Sequence, residues 1–308
     1  MSALAFTLLA VALVGPVPVV LARATWPLRA PRAAIVLWQA VAVAAVLSAF
    51  SAGLALASRL FIPESGGRPT STIAGEIEAL GWPLWLCSVA IFALTVVVGV
   101  RLIVAVLKVA IGTRRRRAHH RMVVDLLGAR HREFGDARVL QVAEPLAYCL
   151  PGMRSRVVLS EGTLAAMSRA ELAAILRHER AHLRARHDLV LEAFIAVHTA
   201  FPRFVRSRSA LNAVRLLVEL LADDVAVRAA GPGPLARALV ACAAARTPAG
   251  AMAAGGPSTV IRVRRLAGPP NSLALSLAAY LAAAAVLVVP TIAVAVPWLV
   301  ELRRLFQI

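Results

Sequence analysis

The sequence predicts a mainly α membrane protein, with four membrane-spanning helices and an α+β domain inserted between spans three and four. Three observations predict it. Of the 308 residues, 60% are hydrophobic and 16% charged, and mean hydropathy is +0.76. A soluble domain runs nearer half apolar and a quarter charged. Four segments, about Leu4–Ala22, Ala33–Ala57, Trp82–Leu107 and Leu273–Val300, reach the roughly 20 apolar residues a membrane helix needs. Between the third and fourth, the pattern returns to amphipathic helices and short β-branched runs. The division is then 1–112, 113–270 and 271–308. These figures exclude disordered, collagen-like and wholly soluble classes. Cys87, Cys149 and Cys242 are three and scattered, which excludes a disulfide framework and a cysteine-type zinc module.

The first span resembles a signal peptide in position only. It has no basic leader, and Pro16 and Pro18 interrupt its apolar core. In the third span Arg101 lies near one end, where it can snorkel to the headgroups. The formal charge is +18, from 34 Lys+Arg against 16 Asp+Glu, and Lys108 is the only lysine. Ala22–Arg32 holds Arg23, Arg29 and Arg32 with no acid. Arg59–Gly81 mixes Arg59 and Arg68 with Glu64, Glu76 and Glu78. After span three come Lys108, Arg114–Arg117 and Arg121. The positive-inside rule puts the first and third loops in the cytoplasm. The N-terminus is then outside and residues 113–270 cytoplasmic, in a multi-pass protein of the plasma membrane. Arg303 and Arg304 on the tail run against this scheme. The arginine run directly after a span reads as a topology signal and lipid anchor; direct nucleic-acid binding is not expected.

Within the inserted segment, Arg115–Glu133 reads as a basic helix leaving the membrane. Arg138–Ala143 and Arg156–Ser160 are candidate strands. Ser168 and Glu171 form a capping box that opens a helix through His182. A short apolar helix covers Asp188–Phe201, lying against the bilayer or in the core. Another runs from Ser209 to Ala230 and stops at Gly231. Pro248–Pro257 is Gly/Ala-rich and expected to be mobile, and Gly268–Pro270 links to the last span.

The capped helix contains His178-Glu179-Arg180-Ala181-His182. Residues four apart share one helical face, so both imidazoles can bind one metal ion. Glu179 can take a proton from water activated there and return it to a leaving amine. Catalytic zinc takes three protein ligands and keeps one open position. Glu219 is the candidate third ligand. Asp223, four residues on, is the candidate partner for a ligand histidine's second N–H. His187 and Tyr148 are possible transition-state stabilisers, although His187, beside Asp188, equally fits a helix-boundary role. His119, His120 and His131 are expected to be solvated or lipid-facing, and His198 a core residue. Arg156–Ser160, if an edge strand, can pair with an extended peptide.

Pro151-Gly152, Arg156–Ser160, Glu171–His182 and Glu219–Asp223 together resemble the BlaR/MecR-type antirepressor metallopeptidases. The layout covers residues 1–300, and the motifs about 140–270. The resemblance implies a gluzincin-like zincin domain holding one Zn2+ per chain. His178, His182 and Glu219 match the family's zinc ligands, and Glu179 its catalytic base. It also implies cleavage of a winged-helix transcriptional repressor in an antibiotic or envelope-stress response. Only Glu301–Ile308 follow span four, so no penicillin-binding sensor domain is expected. A second reading is an HtpX-like quality-control protease. Those relatives insert a hydrophobic pair before the third ligand, whereas Leu183–Val218 has room for one short apolar helix. A third reading is a non-catalytic membrane signalling scaffold.

Overall fold

The computed structural model describes all residues except 1, 58–76, 79, 132–133, 135–136, 153, 203–206, 244–251, 254–257, 293–295, 297–299, 301–302 and 304–308. Among the described residues, four stretches are helical, long and apolar enough to cross a membrane. The first is split into α1 (Ser2–Val14) and α2 (Pro16–Arg23). Pro16 brings no N–H to the helical ladder, so a new helix starts there. The second is α3 (Pro31–Ala57). The last is Leu273–Pro290. Most of the Arg59–Gly81 loop, and most of the expected continuation of the last span to Val300, lie outside the described residues.

The third span departs from expectation. Its helix, α4, runs unbroken from Trp82 to Leu127, 46 residues and about 69 Å at 1.5 Å per residue. No proline separates the apolar half from the arginine run, so one rod carries both. The separate basic helix expected over Arg115–Glu133 is therefore the far end of α4. It stops at Gly128, where the backbone turns extended, and Ala129–Arg130 join the sheet as β1.

The sheet also contains β2 (Ala137–Leu140), β3 (Ala147–Leu150), β4 (Arg156–Ser160) and β5 (Met252–Ala253), in the order β1-β2-β4-β3-β5. β4 runs parallel to β2 and antiparallel to β3. It is thus an interior strand, and the condition for pairing with an extended peptide, a free edge, is not met. Its residues Val157, Val158 and Leu159 are fully buried, and such a strand gains most when paired on both sides. β5 falls inside the Gly/Ala-rich stretch Pro248–Pro257 and pairs with β3 through Cys149 and Tyr148; the rest of that stretch lies outside the described residues.

A buried serine ties β4 to the next element, α5 (Glu161–Ala166). Ser160 Oγ accepts from Leu146 N at 2.8 Å and Thr163 N at 3.1 Å, and donates to Glu144 O at 2.6 Å. Gly162 follows because a Cβ there would stand 1.9 Å from Ala143 O. Ser160→Ala leaves these buried partners unmet, at about 1–3 kcal/mol. The expected readout is a lower melting temperature for the purified protein; an unchanged one would refute the clasp.

Among the described residues five helices follow: α6 (Arg169–Arg184), α7 (His187–Ala200), α8 (Ser207–Ala230), α9 (Pro232–Ala243) and α10 (Thr259–Leu266). The Leu273–Pro290 span is α11. α7 lies antiparallel along α4. At its start, Asp188 and Glu192 meet Arg117 at 3.1 and 2.6 Å; at its end, Arg101 Nε donates to Ala200 O. Arg117 is thus paired rather than lipid-facing, while Arg114, Arg115 and Arg116 are exposed. The interval before Glu219 holds α7 and the first half of α8, as expected, and neither is among the described helices long and apolar enough to cross a membrane.

α8 joins the two halves of the molecule. Leu211, Val214, Leu217 and Val218 pack with Trp38 and Val41 of α3 and Phe194 of α7. Further along, Ala226 packs with β4 and with Leu172 and Ile175 of α6. Each fully buried Val or Leu here contributes about 1.5–3 kcal/mol. One continuous helix therefore connects the span helices to the interior of the inserted domain.

Candidate metal centre

α6 begins as its sequence requires. Ser168 N donates to Glu171 Oε2 at 2.9 Å, and Glu171 N donates back to Ser168 Oγ at 3.4 Å. From this start the 3.6-residue period turns Leu172, Ile175 and Leu176 into the core, and with them His178, Glu179 and His182. All three polar side chains are buried to within 1%. Ionisable groups are buried this deeply only when paired or metal-bound.

The Nε2 atoms of His178 and His182 are 3.2 Å apart. Glu219 of α8 brings Oε2 to 3.4 Å from His178 Nε2 and Oε1 to 3.6 Å from His182 Nε2. Ligands about 2.05 Å from a tetrahedral centre stand roughly 3.3 Å from one another. The three groups fit zinc by donor type, number and spacing, and form the one such His/Cys/Asp/Glu cluster among the described residues. When bound, zinc polarises a carbonyl and lowers the pKa of water.

Groups behind the ligands set their orientation. Asp223 Oδ1 is 3.0 Å from His178 Nδ1, which leaves Nε2 to face the cluster. His187 Nδ1 is 3.0 Å from His182 Nδ1. It reaches there because Arg186 adopts a left-handed conformation, φ 51°, that folds α7 back under α6. His187 thus stands behind a ligand, not over the open side where a transition-state stabiliser would be needed. Tyr148 is also displaced from its expected role. Alternation along β3 turns Cys149 toward Glu179 and Tyr148 toward α4, where its hydroxyl meets His120 Nε2 at 3.0 Å. Burial raises the Tyr148 phenol to about 12. His120 is accordingly a half-buried partner of Tyr148, and His131 stacks on Phe134.

The sequence reading missed Arg262. It lies on α10, is 1% exposed, and spans both α8 carboxylates. Nε and Nη2 donate to Asp223 at 2.8 and 2.6 Å, and Nη1 is 2.9 Å from Glu219 Oε2. The only sequence signal is a short arginine-rich amphipathic helix with no acids of its own.

These contacts divide the charges. Burial would raise Glu219, but His182 and Arg262 hold it down at about 2. Burial would likewise raise Asp223, yet hydrogen bonds from Arg262 and His178 hold it well below the carboxylate range. Glu179 is different. Burial, with Glu219 nearby, lifts it to about 7, and neither oxygen has an N–H or O–H partner among the described residues. A carboxylate poised near neutrality and facing the cluster has the properties of a general base.

Such a site, on a capped helix beneath a mixed sheet, defines a zinc metallopeptidase. The family model for peptidase family M48 matches residues 112–269, just over half of the chain. The chain belongs to peptidase family M48 and is a peptide hydrolase. No curated protein matches the chain, and no solved structure does.

Asp223→Ala should weaken zinc affinity about 10–100-fold, the usual cost of losing a ligand's outer partner. Chelator competition measures this, and an unchanged affinity would exclude the orienting role.

Proposed function

We propose that this protein is an integral-membrane zinc endopeptidase of the BlaR/MecR antirepressor type, cleaving a cytoplasmic winged-helix repressor in an antibiotic or envelope-stress response. The observation that carries the reading is the layout: three candidate spans, the M48 segment 112–269, then a fourth candidate span. The basic loops place the N-terminus outside and residues 113–270 in the cytoplasm of a plasma-membrane protein. Each chain holds one zinc through His178, His182 and Glu219. Glu179 accepts a proton from the attacking water and delivers it to the leaving amine, while Asp223, His187 and Arg262 hold the ligands in place. The signal enters through the spans and reaches Glu219 along α8, which packs on α3.

An HtpX-like quality-control role is the second reading. Such a protease carries a hydrophobic pair before the third ligand, whereas neither α7 nor α8 is among the described helices long and apolar enough to span a membrane, which argues against it. Family membership sets aside the non-catalytic scaffold. Co-expression with a candidate winged-helix repressor separates the first two. A repressor fragment that disappears in Glu179→Gln supports the antirepressor role. An intact repressor, with Glu179-dependent loss of misassembled membrane proteins, supports quality control instead.

A further inference from the structure

α7 begins without a cap of its own. Its N-cap residue, Arg186, makes no side-chain capping hydrogen bond and holds φ at 51°. That conformation is unfavourable for a residue with a Cβ, and it persists where neighbours over-determine it. The neighbour here is α4. One guanidinium, Arg117, meets both acids in the first turns of α7, Asp188 Oδ2 at 3.1 Å and Glu192 Oε1 at 2.6 Å. The three side chains are 11%, 3% and 15% exposed. With so little water to screen them these charges interact strongly, and removal of one strands the others.

α7 is fastened at its other end as well. Arg101 Nε donates to Ala200 O, one of the carbonyls that a helix end leaves unmet. Arg101 and Arg117 stand about 24 Å apart along the unbroken α4, at 1.5 Å per residue. α7 is therefore strapped along the helix of the third span, and its first residue, His187, sits where that strap puts it. His187 Nδ1 is in turn 3.0 Å from His182 Nδ1, while His182 Nε2 faces the ligand cluster.

We propose that Arg117 is a positioning residue of the metal centre: through Asp188 it seats His187, and through His187 it fixes the ring of His182. Asp188 follows His187 directly in the chain, so the pair with Arg117 holds the backbone that carries the imidazole. The helix of the third span thus keeps a zinc ligand in register, together with the domain that contains it. This assignment rests on the zinc reading of the site and stands whichever protein the peptidase cuts.

The test uses the full chain in phosphatidylcholine vesicles. Chelator competition reads zinc affinity, and Co2+ put in place of zinc reads ligand geometry through its visible absorption bands. Zinc content of the parent is measured first; a parent that binds none overturns the metal reading and this proposal with it. Arg117→Leu is expected to weaken zinc binding about 3–10-fold, less than the loss of a ligand's direct partner, and to shift the Co2+ bands. Arg117→Lys should recover part of both, since an ammonium restores the charge without the fork. If Arg117→Leu fails to fold, Asp188→Asn, which keeps the side-chain size, is read in the same way. In a His187→Ala background, Arg117→Leu should cost no more than roughly twofold in affinity, because residues acting through one another are not additive. Asp125→Ala is the control. It strips α4 of its ion pairs to Arg138 and Arg156, and should lower the melting temperature while leaving the Co2+ bands in place. Unchanged affinity and bands in Arg117→Leu would overturn the proposal. So would a full additive loss in the His187→Ala background, or equal band shifts in Asp125→Ala, since general loosening of α4 would then account for the effect.

Discussion

Glu179→Ala is expected to lower peptide hydrolysis by about 10²–10⁴-fold, the usual contribution of a general base, while zinc stays bound in full. The two effects separate because Glu179 is not one of the three clustered donors, which are His178, His182 and Glu219. Its oxygens have no N–H or O–H partner among the described residues, so truncation breaks no hydrogen bond that holds α6 or α8. The variant should melt no lower than the parent, since a buried carboxylate without a firm partner is removed. Metal analysis and a peptide-cleavage assay on one preparation test both halves. Cleavage at the parent rate would refute the role of base, and loss of zinc would show that Glu179 is part of the ligand set.

The second large effect belongs to Arg262. Removing one member of a buried ion-pair network costs about 3–5 kcal/mol, because the partner charges stay buried and uncompensated. In Arg262→Leu, two such carboxylates remain, Glu219 and Asp223. A divalent cation supplies compensating charge at the same place. The loss should therefore be largest in chelator-treated protein, and zinc should raise the melting temperature more in the variant than in the parent. Arg262→Lys should fall between them, since one ammonium cannot reproduce the guanidinium fork across two carboxylates. Equal melting temperatures for parent and Arg262→Leu in chelator would remove Arg262 from the site. A full loss in Arg262→Leu with full recovery in Arg262→Lys would show that charge alone is needed.

Arg262 also marks the limit of what the chain discloses by itself. His178 and His182, and Glu219 and Asp223, are legible because residues four apart share a helical face at any position in any fold. Ser168 and Glu171 are legible because a capping box closes within one turn. Arg262 stands 39 residues after Asp223, and no local period links them. Its role comes from α10 packing beside α8 and α9. His187 is a similar case on a smaller scale: it meets His182 only because Arg186 takes a left-handed turn. Tyr148 was misplaced for a simpler reason. Ala147–Leu150 is too short to read as a strand beside Pro145, so the alternation that turns its hydroxyl away from the metal helix was not available.

Sequence alone determined the elements whose causes are local. These are the long apolar runs of the spans, the capped helix and the two spaced pairs of metal-site residues. Tertiary structure alone decided the strand order that buries β4 between β2 and β3, and the course of α7 along α4. It also decided the joining of α8 to α3 and the closure of Arg262 over two carboxylates. Such contacts join segments far apart in the chain. Their free energy depends on which apolar faces and buried charges find one another after collapse, and no short window of residues encodes that.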